Sequence, residues 1–304
     1  MTKLRIGTRG SPLALAQAQE TRSRLAVAHG LKAEDFEIVV ISTTGDRVTD
    51  RPLHEIGGKG LFTKEIEEAL LAGAIDLAVH SMKDVAAKEP VGLRFAAFLP
   101  REDARDAFLS LKAKSLLDLP QGARLGSSSV RRSAQALRRR PDLVLVPFRG
   151  NVETRLRKLG DGVADATFLA VAGLKRLGLA SRITSLIEPE VMLPAIAQGA
   201  IGLQIRAGDE ATAKLVTAVN HRETAIAVHC ERAFLATLDG SCRTPIAGQA
   251  TLAGDVLTFH GETLTPDGKH VFTATRSGAA SDAVKLGIDA ALEVKAKGGS
   301  LIAS

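Results

Sequence analysis

The chain switches hydrophobic period again and again, and this is what most constrains its fold. Short apolar runs that read as buried strands alternate with segments of helical spacing over the first two-thirds of the sequence. Residues 4–8 read as a strand, and the turn Arg9-Gly10 leads into a helix from Pro12 to about Ala28. Ser11 is placed to cap that helix, with Pro12 at its first position. Residues 36–42 (FEIVVIS) read as a buried strand, 43–60 as a long polar loop, 61–71 as an amphipathic helix and 75–80 as another strand. This β-α-β-α-β order implies a mostly parallel sheet. The pattern restarts after Pro100 with strands at 124–126, 143–147 and 166–170 and helices at 129–140 and 152–159. A strand at 201–205 and helices near 209–219 and 222–238 follow. The remainder differs, with three strand-like runs at 247–252, 256–262 and 269–276 and a last helix from about 281 to 297.

The expected fold class is therefore α/β: two periplasmic-binding-protein-like α/β domains with a central cleft, plus a small C-terminal α+β domain. The expected boundaries are 1–99 with 200–219 for the first domain, 100–199 for the second and 220–304 for the third. Open α/β sheets bind ligands beyond the carboxyl ends of their strands. Four polar clusters fall at such places, at 8–11, 81–84, 127–132 and 149–151.

The clusters suit an anion. Gly126-Ser127-Ser128-Ser129-Val130-Arg131-Arg132 offers helix-start N–H groups, three hydroxyls and two guanidinium groups, which can grip carboxylates bidentately. Arg149-Gly150-Asn151 with Arg155 repeats the arrangement, as do Arg9 and Ser11. Each alone also reads as a helix cap followed by surface arginines. In His80-Ser81-Met82-Lys83-Asp84 a carboxylate stands beside a lysine at a strand end. It is either a local surface pair or an acidic group set in a basic cleft to stabilise a cation.

The net charge is +6, yet Trp and Tyr are absent and the basic residues are spread along the chain. That disfavours nucleic acid and fits a small polyanion. Gly57-Gly58-Lys59-Gly60 lacks the spacing of a nucleotide loop, and His229-Cys230 lacks the partners for a metal site, so no metal is expected. No apolar run reaches the roughly 18 residues of a membrane span. With only Cys230 and Cys242, no secretory signal and no apolar interface stripe, a cytoplasmic monomer is expected. Cys230, among Ala and Val on a helix, reads as a core thiol. Cys242 lies in the turn-rich run Asp239-Gly240-Ser241-Cys242-Arg243-Thr244-Pro245, where a thiol is reachable and a neighbouring cation favours the thiolate.

In order along the chain, several multi-residue runs resemble the porphobilinogen deaminase (hydroxymethylbilane synthase) family. They include Arg5-Ile6-Gly7-Thr8-Arg9-Gly10-Ser11-Pro12-Leu13-Ala14, Gly57-Gly58-Lys59-Gly60-Leu61-Phe62, His80-Ser81-Met82-Lys83-Asp84, Gly126 to Arg132, Arg149-Gly150-Asn151, Gln198-Gly199-Ala200 and the Cys242 loop. The resemblance spans essentially the whole chain. It implies a transferase of tetrapyrrole biosynthesis that condenses four porphobilinogen molecules head to tail into hydroxymethylbilane, releasing ammonia. It further implies a dipyrromethane cofactor joined by a thioether to Cys242, in a loop of the third domain, and Asp84 as the catalytic carboxylate. The family's binding residues correspond to Arg9, Ser11, Lys83, Ser129, Arg131, Arg132, Arg149, Arg155 and Arg176, with Ser81, Ser127, Ser128 and Gly150 in the same runs. Lys59 falls in the family's mobile loop, and Gln198 and Gly199 in a segment lining its cleft. Many relatives have Gly-Gly-Cys-Gln-Val-Pro at the attachment loop, so Arg243 departs from the pattern. It either binds a cofactor carboxylate or acts on the Cys242 thiol. The residues taken without the resemblance leave a non-catalytic ligand-binding module open.

Overall fold

The computed structural model describes residues 3–47, 60–239 and 244–302. Lys59 and Cys242 lie outside them. Among the described residues one compact unit takes 3–47, 60–102 and 199–225, and a second takes 103–198 and 226–302.

The first unit is built on a five-stranded sheet of β1 (Leu4–Thr8), β2 (Phe36–Val40), β3 (Leu77–Ser81), β4 (Leu93–Phe98) and β10 (Ile201–Arg206), in the order β2-β1-β3-β10-β4. β1 runs parallel to β2 and β3, whereas β10 is antiparallel to both β3 and β4. Helices cover both faces. On one, Leu25 of α1 (Pro12–His29) and Val216 of α7 (Glu210–Thr217) pack on Ile6, Leu77 and Leu203. On the other, Ile66 and Leu70 of α3 (Lys64–Leu71) meet Ala78 and Leu93. A short helix, α2 (Thr44–Arg47), occupies part of the segment expected to be loop.

The second unit repeats this topology. Its sheet has the order β7-β6-β8-β5-β9, formed by β5 (Asp106–Ser110), β6 (Arg124–Gly126), β7 (Val144–Val146), β8 (Ala166–Ala170) and β9 (Ser185–Ile187). β6 is parallel to β7 and β8, and β5 is antiparallel to β8 and β9. Ala136 of α4 (Val130–Arg139) packs with Phe108, Leu125 and Phe168 on one face. Leu156 and Leu159 of α5 (Val152–Gly160), with Leu174 of α6 (Val171–Arg176), pack with Leu109 and Phe148 on the other.

Each sheet, expected to be mostly parallel, holds a strand antiparallel to its neighbours: β10, expected as a strand at 201–205, in the first and β5 in the second. β4, β5 and β9 were absent from the sequence reading. β9 has three residues, too few to show a period, and β5 starts on a charged residue, Asp106, that is nevertheless fully buried.

The unit boundary at 225/226 falls within α8 (Arg222–Thr237). Beyond it, β11 (Ile246–Ala253), β12 (Val256–Leu264) and β13 (Val271–Ala279) form an antiparallel meander backed by α9 (Ala283–Gly298), the small α+β element expected. Ala290, Ala291 and Val294 bury one side of α9. Contrary to expectation, an apolar row does stand out: Val284, Ile288 and Leu292, four residues apart, are 51%, 37% and 54% exposed. Among the described residues no helix is long and apolar enough to cross a membrane.

Candidate active site

In the first unit the carboxyl ends of β1 and β3 meet the start of α1. Thr8 is fully buried, and its hydroxyl donates to the Ala14 carbonyl at 3.2 Å, tying down the turn that carries Arg9. Ser11 caps α1 by accepting from Ala14 N–H at 3.3 Å, and no acidic residue sits in the first turn to offset the helix's positive end. Buried Gln17, one turn in, both donates to and accepts from the Ser81 hydroxyl at 2.7 and 3.0 Å. Ser81 ends β3. The chain then makes the 3-10 turn Met82–Asp84, closed by Val85 N–H donating to the Met82 carbonyl at 3.2 Å. Met82 points inward at 1% exposure, while the side chain of Asp84 remains 33% exposed. Arg9, Ser11, Gln17, Phe62, Ser81 and Asp84 line one open pocket.

Arg9 organises this pocket. Its Nε and Nη2 donate to the Asp46 carboxylate, Phe62 lies under the guanidinium at 4.1 Å, and Nη1 stands 3.7 Å from Asp84 Oδ2. Burial pushes the Asp46 carboxyl up, but the bonds from Arg9 and Thr43 outweigh it and hold Asp46 below its ordinary value. Asp46 was not singled out in the sequence. The one available signal was an aspartate closing the hydroxyl-rich run Ser42-Thr43-Thr44-Gly45 just after a buried strand.

The second unit gathers the other cluster at the ends of β6, β7 and β8. The three serines shape its loops. Ser127 Oγ accepts from Ser129 N–H at 3.2 Å, Ser128 Oγ accepts from Phe148 N–H at 3.0 Å, and Ser129 caps α4 through Arg132 N–H at 3.4 Å. Arg131 and Arg132 are 5% and 7% exposed and converge on Asp106. Arg131 Nη2 donates to Asp106 Oδ2 at 2.7 Å, and Arg132 Nη2 donates to Oδ1 at 2.6 Å. Arg132 Nε adds a 3.2 Å bond to Oδ1, Arg131 Nη1 donates to the Leu193 carbonyl and Arg132 Nη1 to that of Phe168. Gln198 Nε2 adds a 3.0 Å bond to Asp106 Oδ1. Burial alone would push the Asp106 carboxyl up, yet the two guanidinium groups hold it well below the carboxylate range. In this structure the anion beside Arg131 and Arg132 is thus a residue of the chain itself.

Gly150 adopts φ +120°, and a Cβ there would lie 2.6 Å from Thr154, so the turn after Arg149 requires glycine. Arg155 Nε donates to the Gly150 carbonyl at 2.9 Å, and Lys158 Nζ to that of Arg149 at 3.0 Å. Arg176 ends α6, half-buried, and Lys83 is half-buried in the turn beside Asp84. Just before Gln198, Ala197 takes the left-handed φ of 57°, a conformation costing a non-glycine residue about 1 kcal/mol. The fully buried Glu231 holds it there, accepting from Ala197 N–H at 2.6 Å and from Ala250 N–H at 2.8 Å. Gly199 follows at φ 88° and leads into β10. Cys230 is fully buried, and burial, with Glu231 adding to it, pushes its thiol up to about 12, which makes it unreactive. Among the described residues no group of His, Cys, Asp or Glu could hold a metal ion.

An aspartate beside an arginine at the ends of parallel strands, with a second arginine- and serine-rich cluster in a unit of the same topology, describes an α/β protein of two like units, each with a polar cluster at its strand ends. Two family models match: porphobilinogen deaminase, dipyromethane cofactor binding domain, over residues 4–214, and porphobilinogen deaminase, C-terminal domain, over 225–296. The chain belongs to the porphobilinogen deaminase family. The porphobilinogen deaminase of Paracoccus denitrificans (strain Pd 1222) is 61% identical over 294 residues, which is 97% of this chain and 94% of that one. Among solved structures, the Bordetella pertussis BvgS VFT2 domain gives a TM-score of 0.43 at 17% identity, over 72% of this chain and 85% of that chain. A Salmonella typhimurium periplasmic binding protein with high arginine specificity gives 0.41 at 13%, over 74% and 94%. Both likenesses are too loose to bear on function.

Proposed function

We propose that this chain is a cytoplasmic porphobilinogen deaminase: a transferase that joins four porphobilinogen molecules head to tail into hydroxymethylbilane, with loss of ammonia at each step. The observation that carries the residue assignment is Asp84, a partly exposed carboxylate at the end of β3, 3.7 Å from Arg9 in a pocket of the first unit. Loss of ammonia from porphobilinogen leaves an azafulvenium cation. Asp84 stabilises that cation and the proton-bearing adduct that follows. Ser11 and the unopposed start of α1 receive substrate carboxylates, and Ser81, fixed by Gln17, shapes the pocket floor.

The dipyrromethane cofactor carries the carboxylates of two substrate units, and the donor set of the second unit fits them. Residues 127–132 and 149–151 contain hydroxyls, guanidinium groups and a tight glycine turn, and the Asp106 carboxylate already engages two of those guanidinium groups, Arg131 and Arg132. Ser127, Ser128, Ser129, Arg149, Arg155 and Arg176 would hold the cofactor and the growing chain, Arg131 and Arg132 would join them by exchanging Asp106 for a cofactor carboxylate, and Cys242 would provide the thioether. When bound, the cofactor supplies a tethered pyrrole with a free α-carbon. Scattered arginines match a product whose charge grows with each addition, and neither nucleic acid nor membrane is called for as a partner.

The mass of the intact purified protein tests this reading. It should exceed the chain mass by a two-pyrrole adduct, and Cys242→Ala should lack the adduct. An unmodified wild type that still turns over porphobilinogen would reject the cofactor assignment. Substitution of Arg149 by alanine should stall elongation, so that intermediates with one to three added units accumulate in mass spectra. If only free enzyme and finished product appear, Arg149 has no part in holding the chain.

A further inference from the structure

Asp84 faces Arg9, and a carboxylate neutralised by a neighbouring guanidinium is a poor stabiliser of a third, cationic group. The structure contains an answer to this difficulty. Arg9 does not direct its bidentate edge at Asp84. It gives Nε and Nη2 to Asp46, at 3.1 and 2.5 Å, and leaves Nη1 3.7 Å from Asp84, beyond hydrogen-bond distance. The Asp46 carboxylate is itself fixed by the fully buried Thr43, whose hydroxyl donates to Oδ2 at 2.8 Å. α2, which carries Asp46, is pinned to α3 by Thr44 N–H donating to Glu65 Oε1 at 2.7 Å. Gly45 lies so close to the Phe62 ring that any Cβ would enter it, and Phe62 in turn backs the Arg9 guanidinium at 4.1 Å. Arg9 is therefore held between a ring and a fixed carboxylate, with its bidentate edge on Asp46 and not on Asp84.

We propose that Asp46 is a positioning residue that neutralises Arg9, so that Asp84 meets the substrate cation with its negative charge uncompensated. This rests on the assignment of Asp84 to catalysis. The three groups Asp46, Arg9 and Asp84 sum to one negative charge, whereas Arg9 and Asp84 alone would sum to none. Among the described residues, the charged or titratable groups beside Asp84 are Arg9 from the turn after β1, His80 from β3 and Lys83 from its own turn, with Asp46 of α2 behind Arg9. Of these, Asp46 is the one carboxylate seen bonded to Arg9 among the described residues.

The test is a pH profile of the holoenzyme with Asp46→Asn. With Arg9 left uncompensated, kcat should fall about 10- to 100-fold. The acid limb of kcat should move to lower pH, because a bare guanidinium favours an ionised carboxylate beside it. The 13C-carboxyl titration of Asp84, which does not depend on turnover, should move the same way. In the double variant Arg9→Gln/Asp46→Asn no cation is left bare, so this titration should not lie below that of the wild type. That variant also decides the matter if Asp46→Asn does not fold. An Asp46→Asn enzyme with unchanged kcat, or one that loses activity while the Asp84 titration stays in place, overturns the proposal in favour of a plain structural ion pair. So does a double variant whose Asp84 still titrates below the wild type. Full turnover in Asp84→Asn would instead remove the catalytic assignment on which the proposal rests.

Discussion

Asp84→Asn should slow turnover by about 10²- to 10³-fold while the protein still folds and still acquires its cofactor. One opposite charge about 4 Å away is worth about 4 kcal/mol at an effective dielectric near 20, and each ~1.4 kcal/mol is a factor of ten in rate. Because a third of the Asp84 side chain is exposed, solvent screening moves the expected loss toward about 10². The substitution keeps the shape of the 3-10 turn, whose closing bond is made by backbone groups of Met82 and Val85. The fold and the loaded mass should therefore match the wild type. Rapid-quench single turnovers, with intact mass measured on the same sample, separate a chemical defect from a loading defect. Wild-type rates in a correctly loaded Asp84→Asn enzyme would show that the carboxylate does not stabilise the cation.

The second large effect is on stability. Asp106→Ala should destabilise the second unit by about 3–5 kcal/mol, the usual penalty for removing one partner of a buried ion pair. Asp106 is 0% exposed and accepts from both Arg131 and Arg132, so its loss leaves two guanidinium groups nearly buried and facing each other. The pH dependence has a definite sign. The folded protein holds the Asp106 carboxyl below its ordinary value of 3.8, so the stabilisation is full above that value and is lost as pH falls through the depressed one. Urea midpoints measured from pH 7 down to 2 should therefore fall more steeply in the wild type than in the variant below about pH 4. A variant within 1 kcal/mol of the wild type would mean that backbone carbonyls alone suffice for the two arginines.

These two expectations show unequally what the sequence could reveal. The place of Asp84 at a strand end was legible because a strand, a turn and a carboxylate stand in consecutive positions, whereas the Arg9 that faces it comes from a distant part of the chain. The Ser11-Pro12 start of α1 and the Ser129 cap of α4 were legible for the same reason. Arg131 and Arg132 were recognisable as a pair, but their burial was not, since their counter-ion comes from β5, 25 and 26 residues away. Asp46 escaped because its segment shows no period and its partner, Arg9, is 37 residues distant. β5 escaped because it is buried along its whole length, β9 because three residues show no period, and β4 because its buried and half-buried positions do not alternate. Ala197 is invisible in principle: nothing in an alanine announces a left-handed backbone, and the Glu231 that enforces it lies 34 residues later.

The antiparallel strand β10 bears on how the protein is made. The sheet carrying Asp84 is completed only when residues 201–206 insert between β3 and β4, whereas all strands of the other sheet lie within 106–187. On a ribosome the second sheet has its full complement first, and the N-terminal sheet waits with β3 as an open edge until more than a hundred further residues have emerged. The strand that leads into Asp84 is thus among the last in its sheet to be secured. A chain interrupted before residue 201 would leave that edge exposed, which makes nascent N-terminal fragments of this enzyme natural clients for chaperones.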